Sequence, residues 1–476
     1  MTDYQLYIDG TWQGSDRSFT VRDPGNGEEF ARIASVGAEV AQKAISSAHA
    51  ALPQWRGLTG LQRADYLLAL ADGLAARSDE IATAITRENG KPLAQSKGEI
   101  AVSVDHLRWF AEEARRVYGR IVPNQVPGKR HLVIRQPVGV VAAIAPWNFP
   151  LVLALRKAAP ALAAGCPVIV RPASQTPVSI LLFAQVAESV GIPKGVFQVI
   201  AGPASEIVGE FMSDSRVAKV TFTGSTEVGK QLMAQAAQTV TKLSLELGGH
   251  APVVVFDDAD LDAAVEAALI TKFRNTGQSC IASNRLYVQS GVHDEFLKRF
   301  SAKTAALKVG YGLEDGVDIG PVVNQAAIEI AKVHIEDALK RGAQIETGGA
   351  ALDRSDGAYL QPTVLSNVAP DSICMLEETF APVAPVVSFD TEAQAIALAN
   401  DSRYGLAAYV YTSDLSRALR VGEAIEAGTV GINDAVPSTS IAPFGGMKES
   451  GLGRELGTEG IDAFLETKHL SIGGVD

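Results

Sequence analysis

Pro167-Val168-Ile169-Val170, Val196-Phe197-Gln198-Val199-Ile200 and Val220-Thr221-Phe222 are short β-branched and aromatic runs, separated by helical stretches between residues 151 and 240. Strand-like runs that alternate with helices are the pattern of βαβ units built around a parallel sheet. A second α/β block starts at Ala251-Pro252-Val253-Val254-Val255-Phe256 and continues to about residue 432, with a helix expected over 324–341 and a strand over 343–346. Upstream, residues 5–10 read as a short strand. Residues 38–117 carry Ala, Leu, Glu and Arg at helical spacing, and 129–144 read as two extended segments broken at Gln136-Pro137. The tail 469–472 is strand-like, and such a segment pairs either within the chain or across subunits.

A chain of 476 residues exceeds one hydrophobic core, so more than one domain is expected. Its composition, 47% hydrophobic and 20% charged, is that of a soluble globular protein. The net charge of −12, with no long Lys/Arg run, argues against nucleic-acid binding and polybasic membrane docking. The uncharged stretch 136–155 is interrupted by Pro137, Pro146, Asn148 and Pro150, which disfavours a spanning helix. Met1-Thr2-Asp3-Tyr4-Gln5 lacks the charged-then-apolar pattern of a secretion signal. Three cysteines make no disulfide framework, and the odd count leaves a free thiol, so a reducing cytoplasm fits. No Cys/His pair has zinc-ligand spacing, so no metal is expected.

Chemistry concentrates in a few segments. Cys280 ends Gly277-Gln278-Ser279-Cys280, among small turn-forming residues, and is read as a nucleophile. A free cysteine is ordinarily buried and inert, and Cys166 and Cys374 are read that way. Glu246, in Leu245-Glu246-Leu247-Gly248-Gly249, has apolar neighbours that should raise its pKa and suit it to activating water. Asn148, in Pro146-Trp147-Asn148-Phe149-Pro150, offers an amide donor for an oxyanion, although Asn beside Pro also serves simply to turn the chain. Gly224 to Gly229 forms a Gly-x-x-x-x-Gly spacing after a strand-like run, where helix-start amides and the Ser225 hydroxyl would face a pyrophosphate. The commoner G-x-G-x-x-G dinucleotide fingerprint does not follow a strand anywhere. A cysteine hydrolase of esters or thioesters would use Cys280 and Glu246 without any nucleotide.

Those segments, followed in order by Glu377-Glu378-Thr379-Phe380 and Pro443-Phe444-Gly445-Gly446, resemble the aldehyde dehydrogenase superfamily over essentially the whole chain, most closely its succinate-semialdehyde dehydrogenases. The resemblance implies two Rossmann-like α/β domains plus a small β oligomerisation arm. Residues 1–120 and 141–247 would bind the nucleotide, 248–445 would be catalytic, and 121–140 with 455–476 would form the arm of a homodimer or homotetramer. It implies Cys280, Glu246 and Asn148 as catalytic residues. Trp147, Arg171, Ser174, Gly224, Ser225, Gly229, Glu378 and Phe380 would hold the cofactor. Arg156, Arg274, Ser438 and Phe444 would hold the substrate.

The implied reaction is NAD(P)-dependent oxidation of succinate semialdehyde to succinate through a cysteine thiohemiacetal and thioester. Glutarate and 2-oxoglutarate semialdehydes are the alternatives. Ser174 stands where NAD-favouring relatives often carry an acidic residue, and Arg171 replaces the usual Lys, which leans the expectation toward NADP. His250 departs from the subgroup's Asn. Ala282 stands where some relatives carry a second cysteine, which argues against a local disulfide switch.

Overall fold

The β-branched runs near 168, 197 and 220 form neighbouring strands because both faces of a parallel sheet are buried and favour such residues. The structure, a computed structural model, describes residues 1–352 and 357–475. In the first sheet the order is Gly451–Leu452, Lys242–Glu246, Val217–Thr223, Val140–Ile144, Val168–Arg171, Phe197–Val199, Leu6–Ile8 and Thr11–Gln13. The five strands from Lys242–Glu246 to Phe197–Val199 are parallel, and those outside them are antiparallel. The chain winds outward from Val140–Ile144 in one direction, then returns to add Val217–Thr223 on its other side. This reversal opens a crevice at the carboxyl ends of those two strands, where ligands of open α/β sheets bind.

The second block forms another sheet, ordered Gln344–Thr347, Thr363–Ser366, Val383–Phe389, Ser283–Gln289, Ala251–Val255, Ala407–Tyr411 and Thr429–Ile432. All its pairings are parallel except that of Gln344–Thr347. The helix expected over 324–341 is Gln325–Lys340, started by an Asn324 side chain that accepts from Ala327 N.

The helical spacing of 38–117 resolves into Ala38–Gly57, Gly60–Ala76, Ser78–Asn89 and Leu93–Glu113. Thr59 and Gln62 form a reciprocal capping box at the second of these. Trp55 is wholly buried and its indole donates to Leu162 O at 3.1 Å, which ties this layer to the helix Pro150–Ala164. That helix starts on Pro150, whose missing N–H costs nothing there, and ends on Gly165 at φ 98°. Every one of its residues is buried, Arg156 included.

A third sheet pairs Leu465–Gly473 with Lys129–Pro137, which in turn pairs with Arg120–Val122, all antiparallel. The C-terminal strand therefore finds its partner within the chain. The break expected at Gln136-Pro137 falls two residues later, at Val138-Gly139, where Gly139 takes φ 136°. Pro137 is accommodated because it faces Leu465 at the end of the ladder, where no donor is needed. Among the described residues no helix is long and apolar enough to cross a membrane.

Candidate active site

The carboxyl ends of the first sheet meet the amino ends of the second, and two cavities share a wall there. One, of about 200 Å³, is lined by Trp147, Asn148, Gly224, Ser225, Glu378 and Phe380 together with Cys280. The other, of about 220 Å³, is lined by Arg156, Arg274, Ser438 and Phe444, again with Cys280. The half-buried thiol thus sits between both spaces.

Cys280 is presented by a tight loop. Arg274–Gly277 is a short turn in which Asn275 (φ 51°) and Thr276 (φ 58°) take left-handed backbone, a costly conformation for Thr. The loop is held from outside: the Tyr409 hydroxyl donates to Ile281 O at 2.8 Å, and Asn275 Nδ2 donates to Asn148 O at 2.8 Å. Burial and the nearby carboxylates of Glu246 and Glu378 push the thiol well above its ordinary pKa. Cys166 and Cys374 are buried, with thiols pushed up by burial to about 11 and about 12. All three cysteines are free, and Ala282 is buried beside the loop.

Asn148 follows the central strand. Its Nδ2 donates to Gln278 O at 3.1 Å, while its buried Oδ1 has no partner. Glu246 ends the strand Lys242–Glu246 and is 2% exposed, with neither carboxylate oxygen hydrogen-bonded. Burial first, then the negative charge of Glu455, raises its pKa to about 8. Glu455 takes a hydrogen bond from Lys157 Nζ and exchanges backbone bonds with Phe444. Arg156 and Lys157 are consecutive on one helix but diverge, Arg156 to the second cavity and Lys157 to Glu455.

Arg156 lies 4.9 Å over the Phe444 ring and Arg274 5.4 Å over the Phe149 ring. Among the described residues neither arginine has a carboxylate within ion-pair distance, and Arg156 Nε has no partner at all. The carboxylate on this cavity's wall, Glu99, is paired with Lys91, so the two arginines leave the space with positive charge, which suits an anion.

The first cavity suits a dinucleotide's nicotinamide end. Phe380 takes φ 49° and sets its ring 5.5 Å from Trp147, edge to face. Glu378 is pushed to about 8 by burial and accepts from Gly249 N at 3.2 Å. The buried Thr223 hydroxyl, on this cavity's wall, has no partner.

The glycines act differently from expectation. Gly224 N–H donates to Glu246 O at 3.0 Å and is not available to a phosphate. Gly229 is not on the cavity wall; a Cβ there would come 2.6 Å from Leu247, so its smallness lets the helix Thr226–Ala236 pack close. Ser225 caps that helix, accepting from Val228 N at 3.3 Å, which leaves the Thr226 and Glu227 amides of the first turn as donors. Arg171 and the exposed Ser174 lie at the same sheet edge, at and just beyond the end of Val168–Arg171. Arg171 Nη2 donates to Gly202 O at 3.2 Å and its buried Nε is unpaired. His250 faces away from Glu246: its Nε2 meets Cys374 O at 3.2 Å, and burial holds the ring neutral, well below the usual range.

Thr223, Lys157 and Glu455 were not singled out from sequence. Only Thr223 carried a local signal, as the neighbour of Gly224.

A nucleotide-binding α/β crevice opening onto a cysteine, with an amide donor and a buried carboxylate beside it, defines an NAD(P)-dependent dehydrogenase of aldehydes. The profile described as "Aldehyde dehydrogenase family" matches residues 12–470. The chain belongs to that family. It is 50% identical to the glutarate-semialdehyde dehydrogenase of Pseudomonas aeruginosa, over 99% of this chain and 98% of that one. It is 48% identical to the NADP(+)-linked succinate-semialdehyde dehydrogenase of Escherichia coli, over 98% of each chain. The crystal structure of succinate-semialdehyde dehydrogenase from Burkholderia pseudomallei superposes with a TM-score of 0.97 at 48% identity, covering 99% of this chain and 98% of that one.

Proposed function

We propose that this aldehyde dehydrogenase oxidises a short ω-carboxylated aldehyde, succinate semialdehyde, to the dicarboxylate. One observation carries the reading: Arg156 and Arg274 line the cavity at Cys280 without an ion-pair partner among the described residues, the wall's Glu99 being paired with Lys91, and Ser438 is a third polar group. A carboxylate there would take charge-assisted hydrogen bonds that no uncharged aldehyde can accept. The relatives named for succinate and glutarate semialdehydes support the class of substrate. Glutarate semialdehyde is the second reading, favoured by the two relatives bearing that name at 50% and 47% identity.

Trp147, Glu378 and Phe380 would hold the nicotinamide, which would supply the hydride acceptor. The chain's own residues do the rest. Cys280 Sγ attacks the aldehyde carbon as its proton leaves to solvent, which keeps Glu246 free for the later step. Asn148 Nδ2, released from Gln278 O, donates to the oxyanion of the thiohemiacetal. Glu246 then takes a proton from the water that cleaves the thioester, and its raised pKa matches that task near neutrality.

For the cofactor, Ser174 carries no charge to repel a 2′-phosphate and Arg171 keeps an unpaired Nε, which favours NADP over NAD. The third sheet exposes Ile121 and, more modestly, Leu470 and Ile472, which supports a homo-oligomer assembled through that arm.

The test is formation of reduced nicotinamide from succinate semialdehyde, glutarate semialdehyde and butanal, each with NAD and NADP. Selective turnover of succinate semialdehyde, faster with NADP, is the expected result. Equal efficiency with butanal would overturn the carboxylate site.

A further inference from the structure

Beside the two cavities lies a buried ion pair with no place in the steps above, its Glu99 on the wall of the cavity that Arg156 and Arg274 line. Lys91 and Glu99 are 0% and 1% exposed at their side chains, and Lys91 Nζ donates to Glu99 Oε2 at 2.7 Å. The same ammonium donates to the main-chain oxygen of Asn148, also at 2.7 Å. The other oxygen of Glu99 accepts from Leu151 N at 3.0 Å and Val152 N at 3.1 Å, the opening turn of the helix that starts at Pro150. Asn148 therefore stands between two fixed points: its carbonyl is held by Lys91 and Asn275, and the helix that follows it is held by Glu99. Lys91 Nζ also lies 3.9 Å from the centroid of Phe149, the ring that Arg274 covers at 5.4 Å.

An ion pair taken wholly out of water is seldom a net source of stability, because desolvation offsets the attraction. This one satisfies both helix-start amides and one main-chain carbonyl of a residue that lines the cavity with Cys280. Resting on the reading of Asn148 as oxyanion donor, we infer that Lys91 and Glu99 are positioning residues that hold the Asn148 carboxamide where the thiohemiacetal oxyanion forms. Neither touches the aldehyde's reacting atoms. The pair fixes the backbone on either side of Asn148, so that its side chain has only its own torsions left to find the oxyanion.

The experiment uses the full-length enzyme with Lys91→Met/Glu99→Gln, which removes both charges together and leaves no lone buried ion. Steady-state kinetics are measured with succinate semialdehyde and butanal, and alkylation of Cys280 by iodoacetamide is measured in parallel. Alkylation is a displacement at carbon that forms no oxyanion, so it reports on the thiol and its loop alone. The expected result is a fall in kcat of about 30-fold for both aldehydes, the scale of a small misplacement of a catalytic group. KM for each aldehyde and the alkylation rate should stay within about twofold, a split that general loosening of the site would not give.

Unchanged kcat would overturn the inference, as would equal loss of turnover and alkylation. Loss confined to succinate semialdehyde would also overturn it, assigning the pair to Arg274 through Phe149 instead. If the double variant does not fold, Glu99→Gln alone keeps Lys91 and the side-chain shape, and a fall in kcat of about fivefold with unchanged alkylation is expected. Asn148→Ala separates the two levels of the argument. If it leaves kcat intact, the oxyanion reading fails; if it lowers kcat while the Lys91 and Glu99 variants do not, only the positioning role fails.

Discussion

Replacing Glu246 by Gln tests a charge that burial makes costly. The carboxyl titrates near 8 in the folded chain, against about 4.5 for an exposed glutamate. The sign follows from which state holds the proton. Between about pH 4.5 and 8 the folded protein keeps a proton that the unfolded chain has released, so stability falls as pH rises through that window and levels off above it. At about 1.4 kcal/mol per pH unit, the loss attributable to this one group between pH 5 and 8.5 is about 4 kcal/mol. A chain of 476 residues has an unfolding entropy of roughly 1 kcal/mol per kelvin, so the shift in apparent Tm is about 4 °C. Gln has the same shape and no titration. Relative to the unaltered enzyme, Glu246→Gln should therefore gain about 4 °C between pH 5 and 8.5 in thermal melts at one scan rate. The same variant should lose turnover by at least about 100-fold, as expected for removal of a general base. Rapid mixing places the loss. A burst of about one reduced nicotinamide per site followed by slow turnover marks a blocked hydrolysis step. A Tm difference that does not change with pH would refute the buried-charge argument. A slowed burst would move the role of Glu246 to activation of Cys280.

Cys280→Ala should abolish dehydrogenation and leave nucleotide binding, followed by fluorescence titration, unchanged; residual turnover would remove the thiol from the mechanism. Arg274→Ala should lower kcat/KM for succinate semialdehyde by about 50-fold, the value of a lost charge-assisted contact, and change butanal by less than about threefold. Ser174→Glu should weaken NADP by at least about tenfold while leaving NAD within about threefold, since a carboxylate there repels the 2′-phosphate. Gly249→Ala would set a Cβ 2.1 Å from the Cys280 carbonyl oxygen, and kcat should fall by about 100-fold as the nucleophile's loop is displaced, with circular dichroism unchanged.

The parallel sheets were legible because strands buried on both faces read as continuous apolar runs, as Val168–Val170 and Val253–Val255 do. Cys280, Asn148 and Glu246 stood out as candidates because each lies in a short local motif. What stayed hidden is pairwise and distant. Lys157 reaches Glu455 across 298 positions and Lys91 reaches the Asn148 carbonyl across 57. In sequence each such residue reads as a solvated charge, the usual fate of Lys and Glu. The helix Pro150–Ala164 is buried on all sides, so no apolar stripe separates Arg156 from Lys157, and only packing sends one to the cavity and the other to Glu455.

The glycine spacing shows the limit from the other side. Gly224 is where the sequence places a phosphate cradle, and it does line the cavity. A backbone N–H, however, has one hydrogen to give, and Gly224 gives it to Glu246 O. The loop that meets the cofactor is therefore tied by one hydrogen bond to the residue read as the general base. Gly229 adds a second tie by packing against Leu247, the next residue along. The loop at Ser225 and the segment that carries Glu246 are thus joined at two points, one a main-chain hydrogen bond and one a packing contact. Of the two, only the contact at Gly229 depends on the absence of a side chain.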